Sequence, residues 1–336
     1  MVSKKILVIG GSGYVGSKLI LELLKNKFHV VNYDLDLFGN KHLPKKNKKF
    51  FHVKGDIRNL DKLEKTLIKY NPDTIIHLAC LSNDPSFELD SKLSKKINFD
   101  SFRGLMNILS KNKIYKFIFA STCSVYGFSK KPKVTEDHPL KPMTAYNKYK
   151  AACEKIFLKS IKKNIFEGII IRPATVCGVS PKMRFDLTVN ILTNFAYNKN
   201  FIKVFGGSQK RPNTHIDDMV RLYIKLCKIK ISKYNGEIFN CGFENYSINQ
   251  IANKVKKIIE KKTKKKISIK KEKSNDLRSY HVNSDKIKKV LNFQPRKTIE
   301  DAINELINEF QKNKLKDSFE NLNYFNIKKL IKLKLK

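Results

Sequence analysis

The chain has no tryptophan, no apolar run approaching the roughly 20 residues that span a bilayer, and no closely paired cysteines. Its opening, MVSKKILVIGG, offers only Ile6 to Ile9 before glycines interrupt, too short for the apolar core of a signal peptide. The six cysteines (Cys80, Cys123, Cys153, Cys177, Cys227, Cys241) form no CxxC pair, so neither a metal site nor a disulfide framework is expected, and a reducing cytoplasmic setting fits. Acid is scarce too: 30 Asp and Glu face 69 Lys and Arg, for a formal charge of +39. Only eight of those cations are Arg, and the lysines spread over the whole chain alongside many Asn and Ile. A nucleic-acid reader concentrates charge on one face and uses Arg for bidentate contacts. Specific nucleic-acid binding is therefore not expected, although the bulk charge raises the local concentration of acidic ligands.

What is present is a core and a rhythm. With 336 residues, 41% of them hydrophobic, the chain can bury a large core. Six apolar runs (KILVIG, HVVNYD, FFHVKGD, DTIIHLA, KFIFAS and FEGIIIRP) alternate with helix-like segments at 14–26, 59–70, about 90–112 and 144–163. Continuous apolar strands separated by helices imply an α/β, doubly wound parallel sheet of the Rossmann type. After IIIRP the rhythm loosens. Helices near 186–199, after HIDD, near 247–262 and near 298–313, with a strand FIKVFGG, suggest a smaller mixed substrate lobe. The expected division is 1–173 for the sheet domain, 174–315 for the substrate lobe, with the chain free to cross back, and 316–336 for a basic tail. The ending NIKKLIKLKLK is weakly amphipathic, and a frayed or loosely docked terminus is expected there.

VIGGSGYVG follows the first strand and opens the first helix. It fits both G-x-G-x-x-G (Gly11, Gly13, Gly16) and the wider G-x-x-G-x-x-G (Gly10, Gly13, Gly16). Such glycines let the backbone turn tightly against a pyrophosphate held at a helix N-terminus, here beginning near Tyr14 and Val15. Asp34 lies 18 residues beyond Gly16, near the roughly 20 expected of an acid that accepts the ribose 2′-OH. A carboxylate there repels a 2′-phosphate, so NAD is favoured over NADP. Asp36 is a near competitor.

Taken together, GGSGYVG, Asp34, GDI at 55–57, HLA at 77–79, STCSVYG and YNKYK resemble an extended short-chain dehydrogenase/reductase of the NAD-dependent epimerase/dehydratase family. RPATVCG, SPKMRFDLTVN, RPNTHIDDM, FNCG and the stretch beginning DLRSYHVNSD resemble its nucleotide-sugar enzymes. The resemblance implies that Asp56 and Ile57 flank the adenine and that Leu78 and Ala79 line the cofactor channel. It further implies dimerisation through the helices near 90–112 and 144–163.

Tyr–Lys pairs four apart also occur at Tyr14/Lys18, Tyr126/Lys130 and Tyr324/Lys328. Tyr146 and Lys150 stand out by context, 24 residues after Thr122 and on one face of a helix. A phenol titrates near ~10, and an adjacent ammonium favours its phenolate. The pattern gives Tyr146 the proton of a sugar hydroxyl, Thr122 a hydrogen bond to that oxygen, and Lys150 the tuning of Tyr146 and the nicotinamide ribose. In the family's dehydratases an Asp–Glu pair follows the Thr; here Cys123 and Ser124 stand there, and elimination lacks its acid and base.

On the substrate side, Arg211 and Arg278 suit a diphosphate, with Asn190 assisting. Arg172 and Arg184 read as structural ion pairs. Ser82, Asn83 and Asp84 are expected to face the sugar. Thr175 departs from the family's R-x-x-N-x-Y-G, in which Asn often touches substrate. The leading expectation is an NAD-dependent nucleotide-sugar epimerase acting on a carbinol, at C4. The alternatives are a 4-dehydrogenase or ketoreductase of GDP-sugar or GDP-heptose type, and a non-catalytic NAD-binding or RNA-associated relative.

Overall fold

The structure is a computed structural model that describes residues 4–82, 89–111, 116–274 and 278–333. Its centre is a seven-stranded sheet in the order β10-β6-β5-β4-β1-β2-β3, parallel throughout. The strands are β1 (Lys5–Ile9), β2 (His29–Asp34), β3 (Phe50–Lys54), β4 (Thr74–His77), β5 (Lys116–Ala120), β6 (Glu167–Pro173) and β10 (Ile238–Cys241). All six strands expected from the sequence are there. The seventh, β10, returns from the far lobe to pair Ile238 with Ile170.

Residue alternation explains why these runs are apolar throughout. Ile6, Val8, Val30, Ile76 and Ile118 enter one core, under the helices Tyr14–Lys25 and Ile216–Lys228. Leu7, Ile9, Val31, Ile75, Phe117 and Phe119 enter the other, under Leu60–Tyr70, Ser101–Leu109 and Ala145–Lys162. A strand buried on both faces is apolar at most positions, and a polar one needs partners, as Asn32 has in Ser12 Oγ at 3.1 Å and His52 Nδ1 at 3.0 Å. Each fully buried large apolar side chain contributes about 1.5–3 kcal/mol.

The smaller lobe holds a three-stranded sheet, β11 (Glu244–Ser247), β9 (Lys210–His215) and β7 (Thr175–Cys177), and a two-stranded one, β12 (Ser268–Glu272) on β8 (Phe201–Phe205). Their core gathers Val189, Leu192, Val204, Ile251, Val255 and Ile303. The helix after HIDD begins at Ile216, inside that motif, because His215 caps it by accepting from the Asp217 N–H at 3.1 Å. Within the expected tail, the residues before 334–336, which lie outside the described residues, form a docked element. Asn326–Leu333 is a helix, with Asn326 and Leu330 buried.

Strand order reverses between β1 and β4, where the chain leaves β3 and crosses to the opposite side of β1. A crevice opens at the carboxyl ends of the strands at such a switch point.

Candidate active site

A cavity of about 580 Å³ occupies that crevice. Gly10, Gly13 and Gly16 line it, whereas a Cβ on Gly11 would collide with Asn32 and Ile20, away from the cavity lining. The wider glycine pattern is thus the one that faces the opening. Gly10 has φ +90°, and a Cβ there would stand 2.5 Å from the Ala79 nitrogen. Gly16 packs so closely that its Cβ would reach 2.5 Å from the Gly11 Cα. Helix Tyr14–Lys25 starts at Gly13 with no side-chain cap and no acid in its first turn. Its leading N–H groups are left to an anion.

The end of β2 supplies a carboxylate to the same cavity. Asp34 Oδ2 accepts from the Ser12 N–H at 2.9 Å and Oδ1 from the Asp36 N–H at 2.8 Å. Burial pushes the Asp34 carboxyl upward, against those two donors. Asp36 is absent from the lining; His52 Nε2, Ser12 Oγ and Asn40 Nδ2 hold it at 2.8, 2.8 and 2.9 Å. Asp56, Ile57, Leu78 and Ala79 line the cavity as well. Burial acts to raise Asp56, but the Arg58 guanidinium at 2.6 Å outweighs it and holds the carboxyl below the usual range. A glycine turn without room for a Cβ, an uncapped helix start and a carboxylate at the end of the second strand fit NAD.

Tyr14 and Val15 are also in the lining. The Tyr14 hydroxyl is engaged, donating to the Gly178 carbonyl at 2.6 Å and accepting from Asn190 Nδ2 at 3.2 Å. Burial raises that phenol well above its ordinary value.

At the end of β5 lie Thr122 and Ser124, with Tyr146 from the first turn of Ala145–Lys162 in the same lining. Thr122 Oγ1 is 2.9 Å from Ser124 Oγ, which in turn donates to Asn147 Oδ1 at 2.5 Å. Lys150, one turn on from Tyr146, is 4% exposed and donates to the Ala120 carbonyl at 2.7 Å. His77, at the end of β4, is buried against Phe102 and Phe119. Burial, then the charge of Lys150, lowers it to about 3, so this imidazole is neutral. Cys123 is fully buried with its Sγ on the Arg172 carbonyl at 2.9 Å, and burial pushes the thiol up to about 12. Among the described residues, the carboxylates lining the cavity are Asp34, Asp56 and Asp186, none of them in the Thr122–Tyr146 segments.

Thr175, Arg211 and Arg278 line the cavity from the smaller lobe. The Arg211 guanidinium donates to the Lys210 carbonyl at 3.0 Å and to the Arg278 carbonyl. Asn190 is not in the lining: its amide serves Gly178, Tyr14 and Arg184 at 3.1, 3.2 and 2.9 Å. Ser82 is in the lining, while Asn83 and Asp84 fall outside the described residues. Arg172 is a structural ion pair, forked onto Glu154 at 3.0 and 2.7 Å. Arg184 pairs with Asp186 at 2.7 Å yet also faces the cavity. Sequence reasoning passed over Lys182, Phe38, Asn326, Ile327 and Leu330, all in the lining. Lys182 sits inside the quoted SPKMRFD but is one lysine among very many. Elsewhere, His215, Asp217 and Glu305 come together, with Lys18 and Lys297 already on the carboxylates.

Comparison with known proteins places this geometry. A UDP-glucuronate 4-epimerase of Thermodesulfobacterium geofontis is 29% identical over 323 residues, 90% of this chain and 94% of the relative. A UDP-glucose 4-epimerase of Lactobacillus helveticus is 26% identical over 270 residues, 76% of this chain and 81% of the relative. Among solved structures, the UDP-glucuronic acid 4-epimerase of Bacillus cereus in complex with UDP-glucuronic acid and NAD superposes with TM-score 0.80 at 28% identity, over 92% of this chain and 99% of that one. The family model described as NAD dependent epimerase/dehydratase family matches residues 6–242. The chain is an NAD-dependent enzyme that belongs to the NAD-dependent epimerase/dehydratase family.

Proposed function

We propose that the protein is a 4-epimerase of a UDP-linked hexose or hexuronate. The observation that carries this reading is one continuous cavity that joins the glycine turn, Thr122 with Tyr146, and the arginines Arg211 and Arg278. NAD, when bound, supplies a hydride acceptor and donor. The protein's residues handle the proton and the orientation. Tyr146 takes the proton of the sugar hydroxyl as its carbon is oxidised to a ketone, and returns it to the opposite epimer on reduction. An ammonium one helical turn away, Lys150, favours the phenolate that this requires. The Thr122 hydroxyl holds the reacting oxygen. Arg211 and Arg278 fork onto the nucleotide diphosphate, a contact that planar guanidinium makes better than ammonium.

Dehydration has no support here. Elimination needs an acid and a base poised beside the ketosugar. The thiol of Cys123 is buried and protonated, and Ser124 is tied to Thr122 and Asn147. The names of the relatives, UDP-glucose and UDP-glucuronate 4-epimerases, support a uridine-linked substrate and C4 as the carbon.

The test is to incubate protein and NAD with UDP-glucose, UDP-galactose, UDP-glucuronate and GDP-mannose, and to separate the products. One UDP-sugar should convert to its C4 epimer without lasting absorbance at the NADH band. NADH accumulating in proportion to sugar consumed would make the protein a dehydrogenase, and no conversion of any of them would overturn the reading.

A further inference from the structure

Two buried cations on the cavity wall lack anionic partners to match. Lys182 is 5% exposed, yet among the described residues its ammonium meets no carboxylate. It donates to Asn326 Oδ1 at 3.0 Å and lies 3.9 Å from the centroid of the Phe38 ring. Arg184 is 8% exposed; its Nε pairs with Asp186 and its Nη1 donates to Ser82 Oγ at 2.9 Å. Its Nη2 is buried with no hydrogen-bond partner among the described residues. Asp186 is engaged on both oxygens, Oδ1 by Arg184 and Oδ2 by the Asn326 N–H at 3.1 Å, and one carboxylate faces two buried cations. Burial, then the charge of Arg184, draws Lys182 down to about 7, with Asp186 and Asp34 opposing. Buried cations of this kind carry a free-energy cost that a bound anion offsets.

The surroundings say which anion. The backbone N–H of Lys182 donates to Ser17 Oγ at 3.2 Å on the helix that the glycine turn opens. The Phe38 ring meets its ammonium, and the charges of His42 and Asp34 act on it; all three lie on β2 or the loop that follows it. That is the dinucleotide end of the cavity, beside the helix opened by the glycine turn, whereas Arg211 lies on β9 with its guanidinium on the Arg278 carbonyl. The anion is therefore the diphosphate of the cofactor rather than that of the sugar nucleotide.

The end of the chain joins the same wall. Asn326 bridges Lys182, Ser82 (3.2 Å) and Asp186, and Ile327 and Leu330 line the cavity. Leu330 is 8% exposed and packs in the cluster of Ile57, Leu81 and Ile97, whereas Ile331 is 58% exposed. One face of this helix is down on the cavity and the other is in water. The Bacillus cereus structure is matched over 99% of its length by 92% of this chain, so the present chain has length with no counterpart there.

We propose that Asn326–Leu333 is a strap that closes the dinucleotide site, and that Lys182 and Arg184, aligned by Asn326, hold the cofactor's diphosphate. The strap slows cofactor release, which suits a reaction that regenerates its cofactor in every cycle. The proposal rests on NAD binding alone and is independent of which sugar is turned over.

The experiment measures NAD binding by calorimetry and NADH release by fluorescence, with no sugar present. It compares the whole chain, a chain ending at Phe325, and the full-length substitutions Lys182→Met and Asn326→Ala, each first checked for folding by circular dichroism. Loss of a charge-assisted phosphate contact should weaken NAD about tenfold in Lys182→Met, and the shortened chain should release NADH about tenfold faster. If the shortened chain does not fold, Asn326→Ala in the whole chain carries the test, with release faster by roughly threefold. Amides of 326–333 should exchange more slowly once NAD binds. Affinity and release within twofold of the parent in every folded variant would overturn the proposal. So would tighter binding by the shortened chain, which would mean that the helix takes the place of the cofactor.

Discussion

The two ends of the cavity are built from different materials. Around Gly10, Gly13 and Gly16 the wall is mainly backbone: a strand end, a tight turn and uncapped helix N–H groups, with the carboxylates of Asp34 and Asp56 in the same lining. Around Tyr146 the wall is side chains, brought from β5, from the Ala145–Lys162 helix and from β9 of the other lobe. A backbone wall admits little variation, because an added Cβ meets main chain. A side-chain wall can be altered one residue at a time with the fold intact. A substitution at the first end is therefore expected to cost cofactor binding, and one at the second to change turnover or substrate binding.

That contrast can be broken at defined points. The largest effect is expected at the side-chain end, where Tyr146→Phe removes the proposed proton acceptor. Turnover should fall by about a thousandfold while NAD affinity stays within twofold, as read by steady-state kinetics beside calorimetry. At the backbone end the dissociation reverses. Gly10→Ala forces a Cβ into φ +90° and against Ala79, and NAD binding should weaken by about a hundredfold with the protein still folded. Arg211→Ala or Arg278→Ala should raise KM for the nucleotide-sugar by roughly ten- to thirtyfold, with little change in NAD affinity.

A smaller effect is a pH dependence. Lys182 titrates near 7 in a field set by Arg184, Asp186, Asp34 and His42. If its charged form holds the diphosphate, protons and NAD bind together, so affinity falls as pH rises through 7. Between pH 6.5 and 8 the loss should be roughly fivefold, and Lys182→Met should flatten it. The smallest effect concerns Cys123. With its thiol pushed to about 12 it is no catalytic acid, and Cys123→Ser should leave turnover within about threefold. A larger loss would bring that thiol back into the chemistry.

The same contrast governs what could be read in advance. The cofactor end announces itself because glycine spacing, a preceding apolar strand and an acid at the next strand end are local in sequence. Even there, only the structure shows that Gly10 and not Gly11 faces the opening, and that Asp36 is drawn off by His52. Strand β10 was missed because IFNC is four residues long and pairs with β6 residues 68 positions earlier. The strap was missed for a similar reason. Its eight residues are too few to form a helix alone, and Leu330 is buried in the cluster that also holds Ile57, Leu81 and Ile97. Asn190 was expected at the substrate, but its amide is used in holding Tyr14 and Gly178. Side-chain hydrogen bonds between residues more than a hundred positions apart leave no periodicity to find.

The most direct test of the account uses a UDP-sugar substrate labelled with deuterium at C4, with its C4 epimer analysed by mass spectrometry and NMR. Oxidation and return of the same hydride predicts that the product keeps its deuterium at C4 in ordinary water. Replacement of that deuterium by solvent hydrogen would contradict the account, because inversion would then proceed by proton exchange at carbon and the NAD site would have no part in the chemistry.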